Sequence, residues 1–425
     1  MSLSFASAKS STFGAHAQLN LFAAVQDIYS QACSNGDGTI PNAALYQELV
    51  DRGQLTADDI KTKCSIGRSG QRHSLATRKV RWLQQTMKTM GILERVEGVR
   101  GQWRTSAKGK DALTMVPPGV TLLALDTKWG YAIWADCKEF FTTLNEPLHL
   151  ILTSPPFPLA KARAYGGPSE AEYVSFIVRS LEPLVRNLVD GGSLALNISN
   201  DIFERGLPSR SLYKERLVLA LNSALGLSLM DMVVWKSNKP PGPMQWASKN
   251  RVQLNVAWEP VYWFTNNPKK VRSNNQRILV PHTEAQKKLI ARGGEDRTGV
   301  WSDGAYRLHP GSYSNPTEGA IQKNVFEIGN TCPSQRRLRK YQMENGLPTH
   351  GASMPLELAS RFVKFLTEPG DLVADPFGGS LTTGEAAEIN ERRWICTDRA
   401  LEYLLGGRGR FQSNSTAGGA VLAAA

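Results

Sequence analysis

The chain has 425 residues, 41% hydrophobic and 21% charged, and no apolar run near the roughly 20 residues of a membrane helix, so a soluble cytoplasmic protein of two or three domains is expected. Its five cysteines (Cys33, Cys64, Cys137, Cys332, Cys396) are far apart and never form a Cys-x-x-Cys pair, and its six histidines are scattered. That pattern speaks against a disulfide framework, a structural zinc site and metal-dependent chemistry. The formal net charge of +12 points to a polyanionic partner, most simply nucleic acid, against the plainer reading of a merely basic protein.

Residues 1–17 are rich in Ser, Ala and Gly and read as disordered, and the tail 412–425 reads as flexible. Between 18 and 115 the pattern predicts three helices and a hairpin. Leu21, Val25, Ile28 and Tyr29 share one helical face; a second helix spans Asn42–Arg52 with Leu45 and Leu49 inward; a third spans Ser74–Met90 and stops at Gly91. Strands Ile92–Glu97 and Gly101–Thr105 then flank a Gly-Val-Arg-Gly turn. The arrangement resembles a winged helix. Residues 51–110 hold 14 Lys or Arg against 5 Asp or Glu, and Arg72, Arg78, Lys79 and Arg81 lie at the start of the third helix, the end a recognition helix presents to DNA. A solvated helix face is the alternative.

From about Thr121 strand-length apolar runs alternate with amphipathic helices: Leu148–Leu152, Glu172–Leu188, Ser193–Ile198, Tyr213–Leu225, Leu229–Trp235 and Val261–Phe264. The alternation lapses over about 265–350 and resumes with a helix at Leu356–Leu366, a strand at Leu372–Ala374, a helix at Thr382–Asn390 and a strand at Trp394–Thr397. This predicts a Rossmann-like, doubly wound α/β domain over 120–411.

Two motifs fall at strand ends, where open α/β sheets bind ligands. The first, Leu-Thr-Ser-Pro-Pro-Phe at 152–157, offers the Ser154 hydroxyl and Pro155 carbonyl as acceptors on a loop stiffened by Pro155 and Pro156, with Phe157 as a stacking surface. Such acceptors suit an exocyclic base amine, whose lone pair is delocalised until both its hydrogens are held. The second, Asp-Pro-Phe-Gly-Gly-Ser-Leu-Thr-Thr-Gly at 375–384, is a glycine-rich strand-to-helix turn without the Gly-Lys pair of a phosphate loop. Asp398, at the tip of the next strand, is placed to accept hydrogen bonds from ribose hydroxyls.

Together these motifs resemble the β-class DNA amino-methyltransferases of bacterial and phage restriction–modification systems, in which the catalytic motif precedes the cofactor motif. Ala132–Phe140 with Asp136, Val233–Lys236 followed by Asn238, Pro240 and Pro243, Glu259–Phe264, and His350–Leu358 through Met354 and Pro355 resemble the family's flanking segments. The resemblance implies an S-adenosylmethionine-dependent methyltransferase fold. It implies that Asp375, Phe377, Gly378, Gly379 and Ser380 bind the cofactor's methionine end, Asp398 its ribose and Asp136 its adenine side, and that Ser154, Pro155, Pro156 and Phe157 hold the target base. Leu381 departs from the family's glycine, and a side chain there is expected either to crowd the cofactor or to reshape the turn. The 265–350 segment, with 14 Lys or Arg against 7 Asp or Glu, stands where the family carries its target-recognition insert, and Arg336, Arg337, Arg339 and Lys340 are its densest basic cluster.

The expected reaction is direct transfer to N4 of a flipped cytosine, because Ser at position 154 is commoner among N4-cytosine enzymes than among N6-adenine enzymes. N6-adenine methylation is the alternative, and a degenerate domain that only binds DNA is a third reading. Cys332 precedes rather than follows a proline, which speaks against the thiolate of a C5-cytosine enzyme. DNA is the expected partner and a cognate restriction endonuclease a further one; the sequence leaves monomer and homodimer equally open.

Overall fold

A computed structural model describes residues 21–411, apart from 22–23, 26, 30, 33–37, 66–71, 90–91, 107–112, 160–165, 239–244 and 352. The terminal stretches 1–17 and 412–425, the stop at Gly91, and Pro240 and Pro243 lie outside the described residues.

In the N-terminal part, the described residues between 21 and 32 are helical, followed by helices Asn42–Asp51, Ala57–Lys61 and Leu75–Thr89. Their apolar stripes meet as periodicity requires: Val25, Tyr29, Leu45, Leu49, Val80, Leu83 and Met87 are all buried. The buried Gln84 amide ties three helices by donating to the Tyr29 hydroxyl and Asn42 Oδ1, both at 2.9 Å. Strands Leu93–Arg95 and Gln102–Thr105 form the expected hairpin, and Thr39–Pro41 adds a third antiparallel strand on its far side. That strand has three residues, too few for alternation to register in a sequence. A short helix at Ala57–Lys61, closed by a Thr56–Asp59 capping box, and a two-residue ladder of Cys64–Ser65 with Arg72–His73 were also not legible.

Beyond it, the described residues contain a nine-stranded sheet: β1 Leu122–Asp126, β2 Gly130–Trp134, β3 Leu148–Thr153, β4 Leu188–Asn197, β5 Ser228–Lys236, β6 Trp258–Thr265, β7 Val325–Glu327, β8 Leu372–Asp375 and β9 Arg393–Asp398. Its order is β7-β5-β6-β4-β3-β8-β9-β2-β1. The central run β4-β3-β8-β9-β2 is parallel throughout, whereas β6 runs antiparallel between β4 and β5, and β1 runs antiparallel at one edge. Helices α1 Cys137–Thr143, α2 Glu170–Arg186 and α3 Tyr213–Leu225 cover one face. Helices α5 Leu356–Leu366, α6 Thr382–Ile389 and α7 Leu401–Gly407 cover the other; α4 is Pro333–Glu344.

Both faces of the central strands are therefore dry, which is why they read as continuous apolar runs rather than alternating ones. Along β3, Leu150 and Leu152 enter one core and Ile151 the other. Chain progression reverses between β3 and β8: β3 and β4 lead outward on one side, β8 and β9 on the other. A doubly wound sheet opens a ligand crevice at such a switch point, beyond the carboxyl ends of the strands.

The 265–350 segment is more ordered than its sequence suggests. It holds helix Glu284–Ala291, a hairpin of Gly299–Trp301 with Tyr306–Leu308, the sheet-edge strand β7 and helix α4. Helix α4 buries Ser334, Gln335, Leu338 and Gln342, three of them polar, so no apolar period betrays it. Strand β4 also begins five residues before its expected start, passing through Gly191 and Gly192. Gly191 has φ +80°, and a Cβ there would come within 1.8 Å of the Lys270 carbonyl oxygen, so the glycine permits a crossing that its sequence context disguises as a break.

Candidate active site

Five neighbouring parallel strands each deliver one polar residue to the same edge of the sheet. Asn197 ends β4, Ser154 follows β3, Asp375 ends β8, Asp398 ends β9 and Asp136 lies two residues past β2. Because β6 runs the other way, its beginning brings Glu259 to that edge as well. Ser154, Pro155, Pro156, Phe157, Asp136, Phe377 and Asp398 line one cavity of about 490 Å³, within the about 300–1,000 Å³ usual for small-molecule sites. A smaller recess beside it is lined by Ser154, Asp375, Phe377, Gly378, Gly379, Ser380, His350 and Ser353. The two motifs, more than 200 residues apart in sequence, thus meet because β3 and β8 are paired, Leu150 opposite Val373 and Ile151 opposite Ala374.

The Ser154 hydroxyl donates to Asn197 Oδ1 at 3.1 Å. The Asn197 amide nitrogen faces only acceptors, the Pro260 carbonyl at 3.3 Å and a Glu259 carboxylate oxygen at 3.4 Å. That pairing fixes which end of the amide points at Ser154, and hence which way the serine proton lies. The serine lone pairs are left for another donor. Asn197 carries no motif of its own and only strand adjacency reveals it; Glu259 opens the Glu259–Phe264 segment, but its pairing with Asn197 is visible only in the sheet.

Asp375 is buried, and its carboxylate accepts from the hydroxyls of Thr153 at 2.6 Å and Thr383 at 2.7 Å and from the Phe377 amide at 3.0 Å. It clamps the end of the Ser-Pro-Pro strand to the first turn of α6. Its side chain thus braces the glycine-rich loop while also lining the recess beside it. Asp398 accepts from the amides of Gly379 and Ala400, both at 2.8 Å. Burial is the main cause that pushes both carboxyls up to about 6, against the hydrogen bonds that hold them down. Asp136 caps α1 through the Lys138 amide at 3.0 Å and leaves its other oxygen 4.0 Å from Arg399 Nε.

The loop itself turns tightly. Gly378 donates to the Thr397 carbonyl at 2.7 Å, and a Cβ on it would meet Cys396 Cβ at 2.8 Å. Gly379 has φ +47° and lies beneath the His350 ring, which a Cβ would approach to 3.3 Å. Leu381 takes φ +62° and ψ +35°, the left-handed conformation that costs an L-residue about 1–2 kcal/mol. Its side chain is fully buried in the core, against Gly407, where a Cβ would be only 2.7 Å away. Full burial of a leucine contributes about 1.5–3 kcal/mol and offsets that cost. Of the two outcomes expected for Leu381, the turn is reshaped and the ligand face is left clear.

Cys137 lines the cavity, yet burial pushes its thiol up to about 12, so it is not a thiolate near neutral pH. Cys332 caps α4 and does not line the cavity. The eight basic residues expected on DNA are also off the cavity wall. Arg78, Lys79 and Arg81 are exposed on helix Leu75–Thr89, Arg81 donating to the Tyr46 hydroxyl at 3.2 Å, and the exposed Arg72 donates to the Lys63 carbonyl at 3.0 Å. Arg336, Arg337, Arg339 and Lys340 are all exposed on α4, and Arg337 also pairs with the buried Glu385 at 2.9 Å.

The sheet order, with acceptors clustered at one edge, defines a Rossmann-like doubly wound fold. The chain belongs to the N4/N6 DNA methylase family, whose model matches residues 148–406. It is 30% identical over 294 residues to the type II methyltransferase M.PvuII of Proteus hauseri, spanning 69% of this chain and 86% of that protein. It is 26% identical over 201 residues to the DNA adenine methyltransferase YhdJ of Escherichia coli (strain K12), spanning 46% and 60%. Among solved structures, the PvuII DNA methyltransferase (cytosine-N4-specific) superimposes with a TM-score of 0.55 at 26% identity, over 70% of this chain and 92% of that one. The chain is thus a DNA methyltransferase that uses S-adenosylmethionine. The cavity with the acceptors Asp136 and Asp398 on its wall, and the side-chain-free Gly378 and Gly379 lining the recess beside it, fit that cofactor.

Proposed function

We propose that the chain methylates the N4 amine of cytosine in DNA, acting on a base flipped out of the duplex. The observation that carries this reading is the Ser154 hydroxyl, its proton committed to Asn197 and its lone pairs free, in the same cavity as the cofactor loop. Ser154 Oγ and the Pro155 carbonyl accept the two amine hydrogens and pull the nitrogen toward tetrahedral geometry, which localises its lone pair. Pro155 and Pro156 hold those acceptors rigid, and Phe157 stacks on the ring. Glycines 378 and 379, with Phe377 and Ser380, receive the methionine end of S-adenosylmethionine, Asp398 the ribose and Asp136 the adenine side. When bound, S-adenosylmethionine supplies an electrophilic methyl group on a positively charged sulfur. Orientation of the amine by Ser154 and Pro155 is the main contribution of the protein. Asn197 and Glu259 keep the serine proton away from the amine. No enzyme nucleophile is required.

The likeness to a cytosine-N4-specific enzyme supports cytosine; the adenine-methylating relative supports N6 of adenine as the second reading. Incubating the chain with DNA and labelled S-adenosylmethionine, then analysing nucleosides by mass spectrometry, is expected to yield N4-methylcytosine. N6-methyladenine instead would overturn the base assignment, and no modified nucleoside would favour a domain that only binds DNA.

DNA is held, on this reading, by a winged-helix unit over 18–115 and by the 265–350 insert, in the cytoplasm, with a cognate restriction endonuclease as a further partner. Arg72, Arg78, Lys79 and Arg81 make the contacts of the first, and Arg336, Arg337, Arg339 and Lys340 those of the second. Replacing Arg78 and Lys79 together by Ala is expected to weaken DNA binding roughly uniformly across sequences. It should also flatten the plot of log K against log salt by about 2, one for each lost phosphate contact. An unchanged slope in a filter-binding titration would remove this helix from the interface.

A further inference from the structure

Arg410 has no place in either motif, yet it is among the largest side chains that the fold buries completely. Its guanidinium reaches the cofactor loop from behind. Nε donates to the Ser380 carbonyl at 2.6 Å, and the terminal nitrogens donate to Thr382 Oγ1 at 2.9 Å, Ser380 Oγ at 3.4 Å and Glu385 Oε2 at 2.7 Å. A further bond runs to Ser334 Oγ on α4 at 2.7 Å. Glu385, itself 2% exposed, balances the charge and is shared with Arg337. The guanidinium therefore holds the residues on both sides of Leu381, the one position of the loop where a branched side chain adopts a left-handed backbone. Ser380, held in this way, reaches forward to the Ser353 hydroxyl at 2.8 Å beside the His350 ring, on the ligand side of the loop. The closing bond from the Leu381 amide to the Gly378 carbonyl is 2.7 Å, and Gly379 between them donates to Asp398.

We infer that Arg410 is a positioning residue for S-adenosylmethionine. It pins Ser380 and Thr382 so that Leu381 stays left-handed and the Gly378–Ser380 backbone keeps the shape that receives the cofactor. A glycine at 381 would hold that conformation unaided; with leucine, the brace adds to what burial of the side chain supplies. The inference rests on the reading that the 375–384 loop binds the cofactor.

The test is steady-state methylation by the full chain with DNA saturating, together with direct titration of S-adenosylmethionine. Arg410→Met removes the donors and keeps the apolar bulk. It should raise KM for S-adenosylmethionine and its Kd at least tenfold, while kcat at saturating cofactor stays within about threefold. In a chain that also carries Leu381→Gly, the same Arg410→Met change should cost less than threefold, because glycine pays no penalty for φ > 0. Equal losses with leucine or glycine at 381 would show that Arg410 is only core filling, and an unchanged KM with an intact melting transition would refute the inference outright. Should Arg410→Met fail to fold, Thr382→Val removes one anchor and leaves the ion pair in place. It should raise KM two- to fivefold, and no change would again refute the inference. Asp398→Asn is measured alongside. If it leaves cofactor affinity intact, the loop reading fails and the Arg410 inference with it. If it weakens affinity while Arg410→Met does not, the Arg410 inference alone fails.

Discussion

Ser154→Ala is expected to lower kcat by about 10²–10³-fold, the loss typical when one preorganised hydrogen-bonding group is removed from a reacting centre. Its Kd for S-adenosylmethionine should move less than about threefold. The serine hydroxyl bonds to Asn197, which is itself held by Pro260 and Glu259, and none of the hydrogen bonds that hold the cofactor loop runs through Ser154 Oγ. Single-turnover methylation with calorimetric titration of the cofactor separates the two effects. Loss of cofactor binding with retained transfer chemistry would mean that the acceptor site has been misplaced. Asn197→Asp offers a graded companion: a carboxylate there accepts the serine proton at least as well but faces Glu259, so a milder loss than that of Ser154→Ala is expected, deepening as pH rises and the pair becomes doubly charged.

Asp398→Asn should weaken S-adenosylmethionine binding by about 10- to 100-fold at pH 7.5, the worth of a charge-assisted hydrogen bond. Its pH dependence is the sharper signature. Burial raises the carboxyls of Asp398 and Asp375 from 3.8 to about 6. A group whose pKa rises on folding contributes stability that is fully present below its unfolded value and is lost as pH climbs through the folded value. These two residues therefore make the ligand-free protein lose stability as pH rises from about 4 to 6. Cofactor affinity should run the opposite way, rising through pH 6 as Asp398 ionises and accepts the ribose hydroxyls. A titration series from pH 5 to 8 should show that rise in the parent chain and a flat profile in Asp398→Asn. Parallel profiles in both would remove Asp398 from cofactor binding.

What the chain discloses before it is folded is set by local rules. Apolar runs such as Leu148–Leu152 and Leu372–Ala374 are legible because strands buried on both faces must be apolar throughout, and the helices between them because one stripe must face the sheet. The Ser-Pro-Pro-Phe and glycine-rich loops stand out because proline and glycine restrict the backbone in ways few other residues can. Element bounds slipped where local and tertiary rules disagree. Gly191 and Gly192 look like a break but lie inside β4, where the close passage of Lys270 demands a residue without a side chain. Helix α4 carries no apolar period because three of its four buried residues are polar, Ser334 bonding to Glu385 and Gln335 to the Met354 carbonyl.

By itself, then, the sequence determined the doubly wound class and the two motifs at strand ends, each of which depends on residues close together in the chain. Only the tertiary structure decided which distant side chains complete the site. Asn197 reaches Ser154 because β4 neighbours β3, and Glu259 reaches Asn197 because β6 neighbours β4. Asp375 turns into a brace because Thr153 and Thr383 close over it. Leu381 is harmless because Gly407 leaves room for its side chain and Arg410 holds the turn on either side. Strand adjacency and burial are properties of pairs remote in sequence, and no local pattern encodes them.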